Sequence, residues 1–420
     1  METLTLLEHE VIPVADSREP GTKVLTRTQA NLLSRLEKDL PPKAFSWGHK
    51  SVKFAQYCGV ISLGTLSIEI LPKIHGMEAE PGACRKMLVR MLYRAKQLKP
   101  QRGSNADISL QKHVLLDVFI LHFCEQLHAE LMQGMIRHYV ERKENLNVLR
   151  GRLRIEQQFK QNLAHKERLF CQYDELSADN SHNRVIKYVL KLLFSVTVGV
   201  AARKQLLELL MRFDEIRDVP VSIDMVEQLS FDRSTSRYEP IFKQCRSFIR
   251  GFHPDVLTGK SPCMTLLFDM NRLFESCVAS ALRKQAWKRD QRLREQGPRK
   301  YMVSREDRDE SLFQMKPDMS FLDNNNQVLA IADAKWKVLD EREKKLGISQ
   351  SDLYQMAGYA SRYGVDRLAL LYPKQQWLTQ KIDLMLLGSN AKLRVVPVDV
   401  TVHDDVIDWP FADEAADYDQ

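Results

Sequence analysis

Between Lys53 and Ile74 the chain reads KFAQYCGVISLGTLSIEILPKI, and Val60, Leu63, Leu66, Ile68 and Ile70 alternate with polar neighbours. A period of two sets one face of a strand against a core, and Gly59 and Gly64 punctuate the run. Residues 1 to about 75 are therefore expected to be β-rich. RTQANLLSRLEKDL interrupts them: Leu32, Leu33, Leu36 and Leu40 recur at helical spacing until Pro41-Pro42 stops the helix. Next, EPGAC opens a helical stretch, CRKMLVRMLYRAKQL, and the polar loop KPQRGSNAD follows. A long amphipathic pattern runs from Val114 to about Val140. LNVLRGRLRIEQQF reads as a short strand pair or turn, with Arg150, Arg152 and Arg154 around Gly151. Helical patterns resume from Asn183 to Arg217 and around Ile241 to Ile249.

Composition shifts at GFHPDVLTGKSPC, Gly251 to Cys263, and the order beyond it is helix, strands, helix, strand. That order is the mark of a compact α/β unit. The expected fold class is α+β multidomain: a β-rich region over 1–75, a mainly helical region over 76–255, an α/β unit over 256–403 and an acidic tail over 404–420. The TGKS in the boundary segment is no phosphate loop, because the glycine needed five positions before Gly259 is Pro254.

The chain has 420 residues, 44% apolar and 28% charged, which suits a globular protein of two or three domains. Its most apolar helical run, Val189 to Ala202, is broken by Lys191, so no membrane span is expected. The opening METLTLLEHEVIPV lacks the basic start and small-residue cleavage site of a signal peptide. Seven scattered cysteines without a C-x-x-C argue against a disulfide framework or zinc ribbon and for a reducing, cytoplasmic setting. Net charge is +7, and the seven acids from Asp404 onward leave +14 on the rest, a balance suited to a polyanion such as DNA.

The candidate chemistry lies in MKPDMSFLDNNNQVLAIADAKWK, Met315 to Lys337. Phe313 to Leu322 and Val328 to Ala334 read as the arms of a hairpin whose Asn-rich turn tolerates positive φ. Asp333 and Lys335, two apart, share a face, and twist with a bulge can bring Asp318 beside them. Two carboxylates with an ammonium suit a hard cation such as Mg2+, with Mn2+ as a substitute. Asp318, Asp333, the Ala334 carbonyl and waters would bind it, while Lys335 would position a nucleophile or offset charge on a phosphorane-like transition state. In TLLFDMNRLFESCVASALRKQAW, helical spacing from Leu267 to Leu282 sets Glu275 on or beside the buried stripe, where a charge is costly unless paired. SQSDLYQMAGYASRYG reads as a helix from a serine cap to Gly364, with Gln355 and Tyr359 stacked one turn apart. His182 reads as a hydrogen-bonded residue at a helix start rather than a catalytic one.

Glu275 on a helix, Pro317-Asp318 on a strand, Asp333-Ala334-Lys335 on another and Gln355-x-x-x-Tyr359 on a second helix resemble the PD-(D/E)xK nuclease superfamily, in its RecB-like branch. The resemblance implies an αβββαβ core with Asp318 and Asp333 as metal ligands, Lys335 as catalytic lysine, Glu275 as accessory acid, and Gln355 and Tyr359 in support. Upstream, IEILPKI, LRGRLRIEQQFKQNL and YDELSADNSHNRVIKYVLKLL resemble the McrC family, the nuclease subunits of McrBC-type modification-dependent restriction systems. That implies a McrB-like AAA+ GTPase hexamer as partner, which the amino-terminal part docks on and stimulates. It also implies double-stranded DNA with modified cytosine, such as 5-methylcytosine, as substrate, and GTP acting only through the partner. Three other readings stay open: a free-standing RecB-like repair or recombination nuclease, a non-cutting activator of an AAA+ ring, and a general nucleic-acid-binding module, on which a buried Glu275 is hard to explain.

Overall fold

The computed structural model describes residues 2–38, 40–63, 66–74, 76–95, 114–253, 263–305, 307, 310–402 and 407–412. The TGKS segment, the KPQRGSNAD loop and most of the acidic tail lie outside them. The amino-terminal region runs β1 (Glu2–Leu7), β2 (Val11–Ala15), β3 (Leu25–Thr26), α1 (Arg27–Leu36), β4 (Phe45–Trp47), β5 (Ser51–Phe54), β6 (Tyr57–Leu63) and β7 (Leu66–Leu71). Helix α1 starts where Thr26 and Gln29 each accept the other's backbone N–H, a capping box, and it stops at Leu36, earlier than the leucine spacing predicts.

β7 departs from the half-buried strand expected of its alternation, because every residue in it is buried, Ser67 and Glu69 included. Its polar face is covered by the middle region. That region runs α2 (Pro81–Arg94), α3 (Leu115–Met132), β8 (His138–Leu146), β9 (Arg152–Leu153), α4 (Ile155–Gln161), β10 (Leu169–Ser177), α5 (Ser181–Val196), α6 (Val200–Arg212), α7 (Ile223–Glu227) and α8 (Glu239–Arg250). Arg85 of α2 grips the buried Glu69 with two bonds of 2.7 Å, and Glu69 also accepts the Leu115 N–H at the start of α3. A fork-shaped pair with an extra backbone donor is how a buried carboxylate is tolerated.

The amphipathic pattern of 114–140 divides into α3 and β8, and the stretch 183–217 into α5 and α6. At the second break, Thr197 donates to the buried Asp117, and a Cβ on Gly199 would lie 2.4 Å from that carboxylate. The expected strand pair near Gly151 is a three-stranded sheet, β8-β10-β9, with α4 following.

The remaining elements are β11 (Phe252–His253), β12 (Cys263–Asp269), α9 (Met270–Trp287), β13 (Arg292–Glu295), β14 (Lys300–Arg305), β15 (Glu310–Met315), β16 (Met319–Leu322), β17 (Val328–Ala334), α10 (Gln350–Tyr363), β18 (Arg367–Pro373), β19 (Ile382–Met385) and β20 (Lys392–Val398). Sheet order is β13-β16-β17-β18-β20-β19, with β17, β18 and β20 parallel. The upstream hairpin arm is shorter than expected: only β16 pairs with β17, whereas residues 310–315 pair with 300–305 in a separate hairpin. Helix α9 likewise begins at Met270, with Leu267 in the preceding strand.

That strand, β12, joins the amino-terminal sheet in the order β1-β7-β6-β12-β11. It pairs with β6 over seven residues, so closely at Gly59 (φ 144°) that a Cβ there would sit 1.9 Å from the Leu266 carbonyl. The sheet thus spans the position at which composition divides the chain, and one apolar core extends from Cys58 to Phe411. No helix among the described residues is long and apolar enough to cross a membrane, and all seven cysteines are buried and outside any disulfide.

Glu8, just after β1, ties the two ends of the molecule together. One of its oxygens accepts Trp336 Nε1 at 2.7 Å and the Lys73 N–H at 2.9 Å, while the other is buried without a hydrogen bond. Burial raises its pKa from 4.5 to about 7 against the downward pull of those bonds. The folded chain therefore holds a proton that the unfolded chain has released. Stability is greatest below the unfolded value and is lost as pH rises through the folded one, by about 3 kcal/mol in all. Glu8→Gln, which keeps the acceptor and removes the charge, should raise the melting temperature at about pH 8 and change it little at about pH 5.

Candidate active site

Register brings the two aspartates together. β16 and β17 are antiparallel, with Met319 opposite Ala332, so the next pair outward is Asp318 and Asp333. Directly opposed residues of an antiparallel pair share a face. A one-residue bulge at Phe321/Leu322 sets this register. Without it every side chain of β17 would slip by one and Asp318 would face Ala332.

Each carboxylate is held separately. Asp318 Oδ2 accepts the Ala334 N–H at 3.0 Å, and its Oδ1 accepts Gln296 Nε2 at 3.2 Å. The same Gln296 amide donates to Glu275 on α9, so one side chain links both acids. Asp333, wholly buried, accepts Gln355 Nε2 at Oδ1 (3.2 Å), and its Oδ2 lies 2.6 Å from Lys335 Nζ. That contact lies outside hydrogen-bond geometry and leaves Oδ2 without a hydrogen-bond partner. Lys335 donates to Gln355 Oε1 at 3.0 Å, and Asp352 Oδ1 is 3.7 Å away. Gln355 also donates to the Tyr359 hydroxyl at 2.8 Å. Helix α10 presents these groups because Ser349 caps its start and Gly364, at φ 68°, ends it, as the sequence predicts.

Trp336 anchors the end of this strand. Its indole bonds Glu8 and its ring packs 5.3 Å from Phe274, the neighbour of Glu275 on α9. The amino-terminal sheet therefore buttresses the residue that follows Lys335.

Glu275, Asp318, Asp333, Lys335, Gln355 and Tyr359, all singled out from the sequence, come together here. Glu275 does so through Gln296. Sequence reading missed Gln296 and Asp352. Gln296 has a positive φ of 52° just before Gly297-Pro298, a turn signal that says nothing of chemistry. Asp352 stands three after the capping Ser349, a position read as helix-starting. His182 bonds the Ser230 carbonyl at 3.0 Å and packs against Phe231 and Phe242, the structural role expected of it. Arg150 stacks on Tyr173 in the β8–β10 sheet, apart from the contacts of this site.

The cluster is short of positive charge. Burial raises the pKa of Asp318, helped by Glu275, and burial raises that of Asp333, helped by Asp318. Burial also raises Glu275. Burial lowers the Lys335 ammonium, but Asp333, Asp352 and Asp318 outweigh it and hold it above the ordinary lysine value. Crowded, desolvated carboxylates favour a proton or a cation. Asp318 and Asp333 side by side, with an Asp333 oxygen held only by its ion pair to Lys335, fit a hard divalent ion. Among the described residues no three His, Cys, Asp or Glu side chains form a metal cage. Such a donor set suits an ion that keeps much of its water.

Residues 52–373 match the model of a family described as "McrBC 5-methylcytosine restriction system component". A chain of the refined half-complex from the tetradecameric assembly of Thermococcus gammatolerans McrB AAA+ hexamers with bound McrC is similar at a TM-score of 0.75 and 20% identity, covering 95% of both chains. A chain of the cryo-EM structure of the Thermococcus gammatolerans McrBC complex gives a TM-score of 0.52 at 23% identity, covering 67% of this chain and 87% of that one. At these identities the likeness is one of fold. No curated protein matches.

Replacing Lys335 by Met should leave a buried carboxylate unpaired. The expected loss is about 2 kcal/mol at about pH 8, below the range for fully buried pairs because the lysine is partly exposed, and less at about pH 5, where Asp333 is neutral. The Asp333→Asn/Lys335→Met double variant should recover most of it. Denaturant unfolding at the two pH values measures both.

Proposed function

This chain belongs to the family of McrBC 5-methylcytosine restriction system components, and from that premise we propose that it is the DNA-cutting subunit of a McrBC-like, GTP-dependent system. In this reading it is a Mg2+-dependent endodeoxyribonuclease acting on double-stranded DNA with modified cytosine. It also stimulates the GTPase of an AAA+ partner. The observation that carries the reading is the placing of Asp318 opposite Asp333 with Lys335 against them. The element order α9, β13, β16, β17, α10, β18, with β14–β15 inserted, supports assigning a PD-(D/E)xK core.

Asp318, Asp333 and the Ala334 carbonyl would hold Mg2+, or Mn2+ in its place. Bound there, the ion supplies Lewis acidity and lowers the pKa of water at the scissile phosphate. The protein's own part is preorganisation. Ala334 and Gln296 fix the Asp318 carboxylate, and Gln355 fixes Asp333 through one oxygen while the other faces Lys335. Tyr359 takes the second Gln355 hydrogen and stops the amide from turning. Lys335 sets a positive charge where the phosphate becomes more negative. Glu275, whose pKa burial raises, stands at the edge of the site as the accessory acid.

The partner reading draws on the solved relative, whose assembly holds McrB AAA+ hexamers. The sequence assigns docking to residues 1–75 and partner or DNA contacts to 76–255, and exposed apolar side chains gather in the second of these. Tyr139, Val148, Leu149, Ile155, Phe159 and Leu163 are all more than half exposed on or beside the β8–β10 sheet and α4, and α4 buries no residue at all. Apolar side chains gathered on a surface mark a protein contact, and we assign the ring's docking surface to this unit.

A cytosine-methylated plasmid with Mg2+, tested with and without GTP and a McrB-like partner, should be cut only when both are present. Cutting by this chain alone would instead favour a free-standing nuclease. Asp318→Ala, Asp333→Ala and Lys335→Ala should each lower cleavage by about 10³ while GTPase stimulation persists. The triple change Tyr139→Ser, Leu149→Ser, Phe159→Ser should do the reverse to stimulation, lowering it about tenfold or more in a folded protein.

A further inference from the structure

Lys335 and a bound cation compete for one oxygen. The ammonium lies 2.6 Å from Asp333 Oδ2, the atom left without a hydrogen bond. A divalent ion on that atom repels the ammonium, so Lys335 needs another acceptor within reach. Gln355 Oε1, at 3.0 Å, is neutral. The nearest charged alternative is Asp352 Oδ1 at 3.7 Å, on α10 rather than on the strand pair that carries Asp318 and Asp333. A lysine stem can swing the missing ångström or so without backbone movement.

The placing of Asp352 is unusual for a first-turn helix acid. Such residues commonly stay solvated and interact with the helix dipole. Here the side chain is only 14% exposed, and burial followed by the Asp352 charge raises the phenol of the buried Tyr372. Asp352, Gln355 and Tyr359 stand at i, i+3 and i+7, so one face of α10 carries all three groups toward the site.

We propose that Asp352 is a positioning residue that receives the Lys335 ammonium when Asp333 binds the cation, and so keeps the lysine beside the phosphate without opposing the metal. The proposal rests on the nuclease reading above. Without Asp352, the counter-ions left to Lys335 are Asp333 and Asp318, the two proposed metal ligands, and it competes with the metal for them. Asp352 therefore strengthens metal binding without touching the metal, chiefly through the lysine.

The test is Mn2+ binding to the full chain, by calorimetry or electron paramagnetic resonance, without DNA or partner. Melting curves ensure that folded protein is measured. Asp352→Asn should weaken Mn2+ binding about tenfold, the usual scale for a residue behind a metal ligand, and Asp352→Glu should bind nearly as the parent does. In a Lys335→Met background, Asp352→Asn should lower Mn2+ affinity by clearly less, about twofold at most, since only the direct pull of its charge on the site is then lost. Wild-type affinity in Asp352→Asn, or the same loss with Lys335 absent, would overturn the role. Asp333→Asn serves as the separate control: undiminished Mn2+ binding there would overturn the metal site itself, whatever Asp352 does.

Discussion

Two carboxylates facing each other inside a protein repel, and the carboxy-terminal half of this chain is arranged around that repulsion. The bulge in β16–β17 brings Asp318 opposite Asp333. Everything adjacent then offsets the charge: a backbone N–H and Gln296 on one acid, Gln355 and Lys335 on the other. None of these suffices alone, and all three acids keep raised pKa values. A site left short of positive charge by its own fold is prepared for a cation, and strain of this kind is what functional sites store.

The rest of the molecule holds that arrangement still. Trp336 follows Lys335 directly and is wedged between Glu8 and Phe274, so the amino-terminal sheet and α9 fix the end of β17. Helix α10 is fixed at both ends by its own sequence and delivers three polar groups from one face. The same solution recurs away from the site, where Arg85 and the start of α3 neutralise the buried Glu69. In both places a buried acid orders elements that come from distant parts of the sequence.

Much of this was legible because local signals and tertiary structure agree. A serine cap and a terminal glycine delimit α10, and the spacing in Asp333-Ala334-Lys335 puts the acid and the lysine on one face. Where local and tertiary demands part, the sequence misleads. The alternation in β7 suggests a solvated face, yet helices cover it and Glu69 is buried. The apolar run before Asp318 reads as one arm because nothing local reveals that residues 310–315 pair with 300–305. Gln296 and Asp352 join the site through the folding of a turn and of a helix start, and neither residue type stands out in such places.

The pairing of β12 with β6 bears on how such a protein can change over evolutionary time. The segment 251–263 looks like a seam at which one carboxy-terminal unit could be exchanged for another. An exchange there would withdraw a strand from between β6 and β11 and bare the long edge of β6, an invitation to aggregation. A recombination junction that spares both halves lies later, after Asp269, where strand gives way to helix. Descendants of this chain should therefore inherit β12 together with the amino-terminal sheet, even where the unit behind it has been replaced.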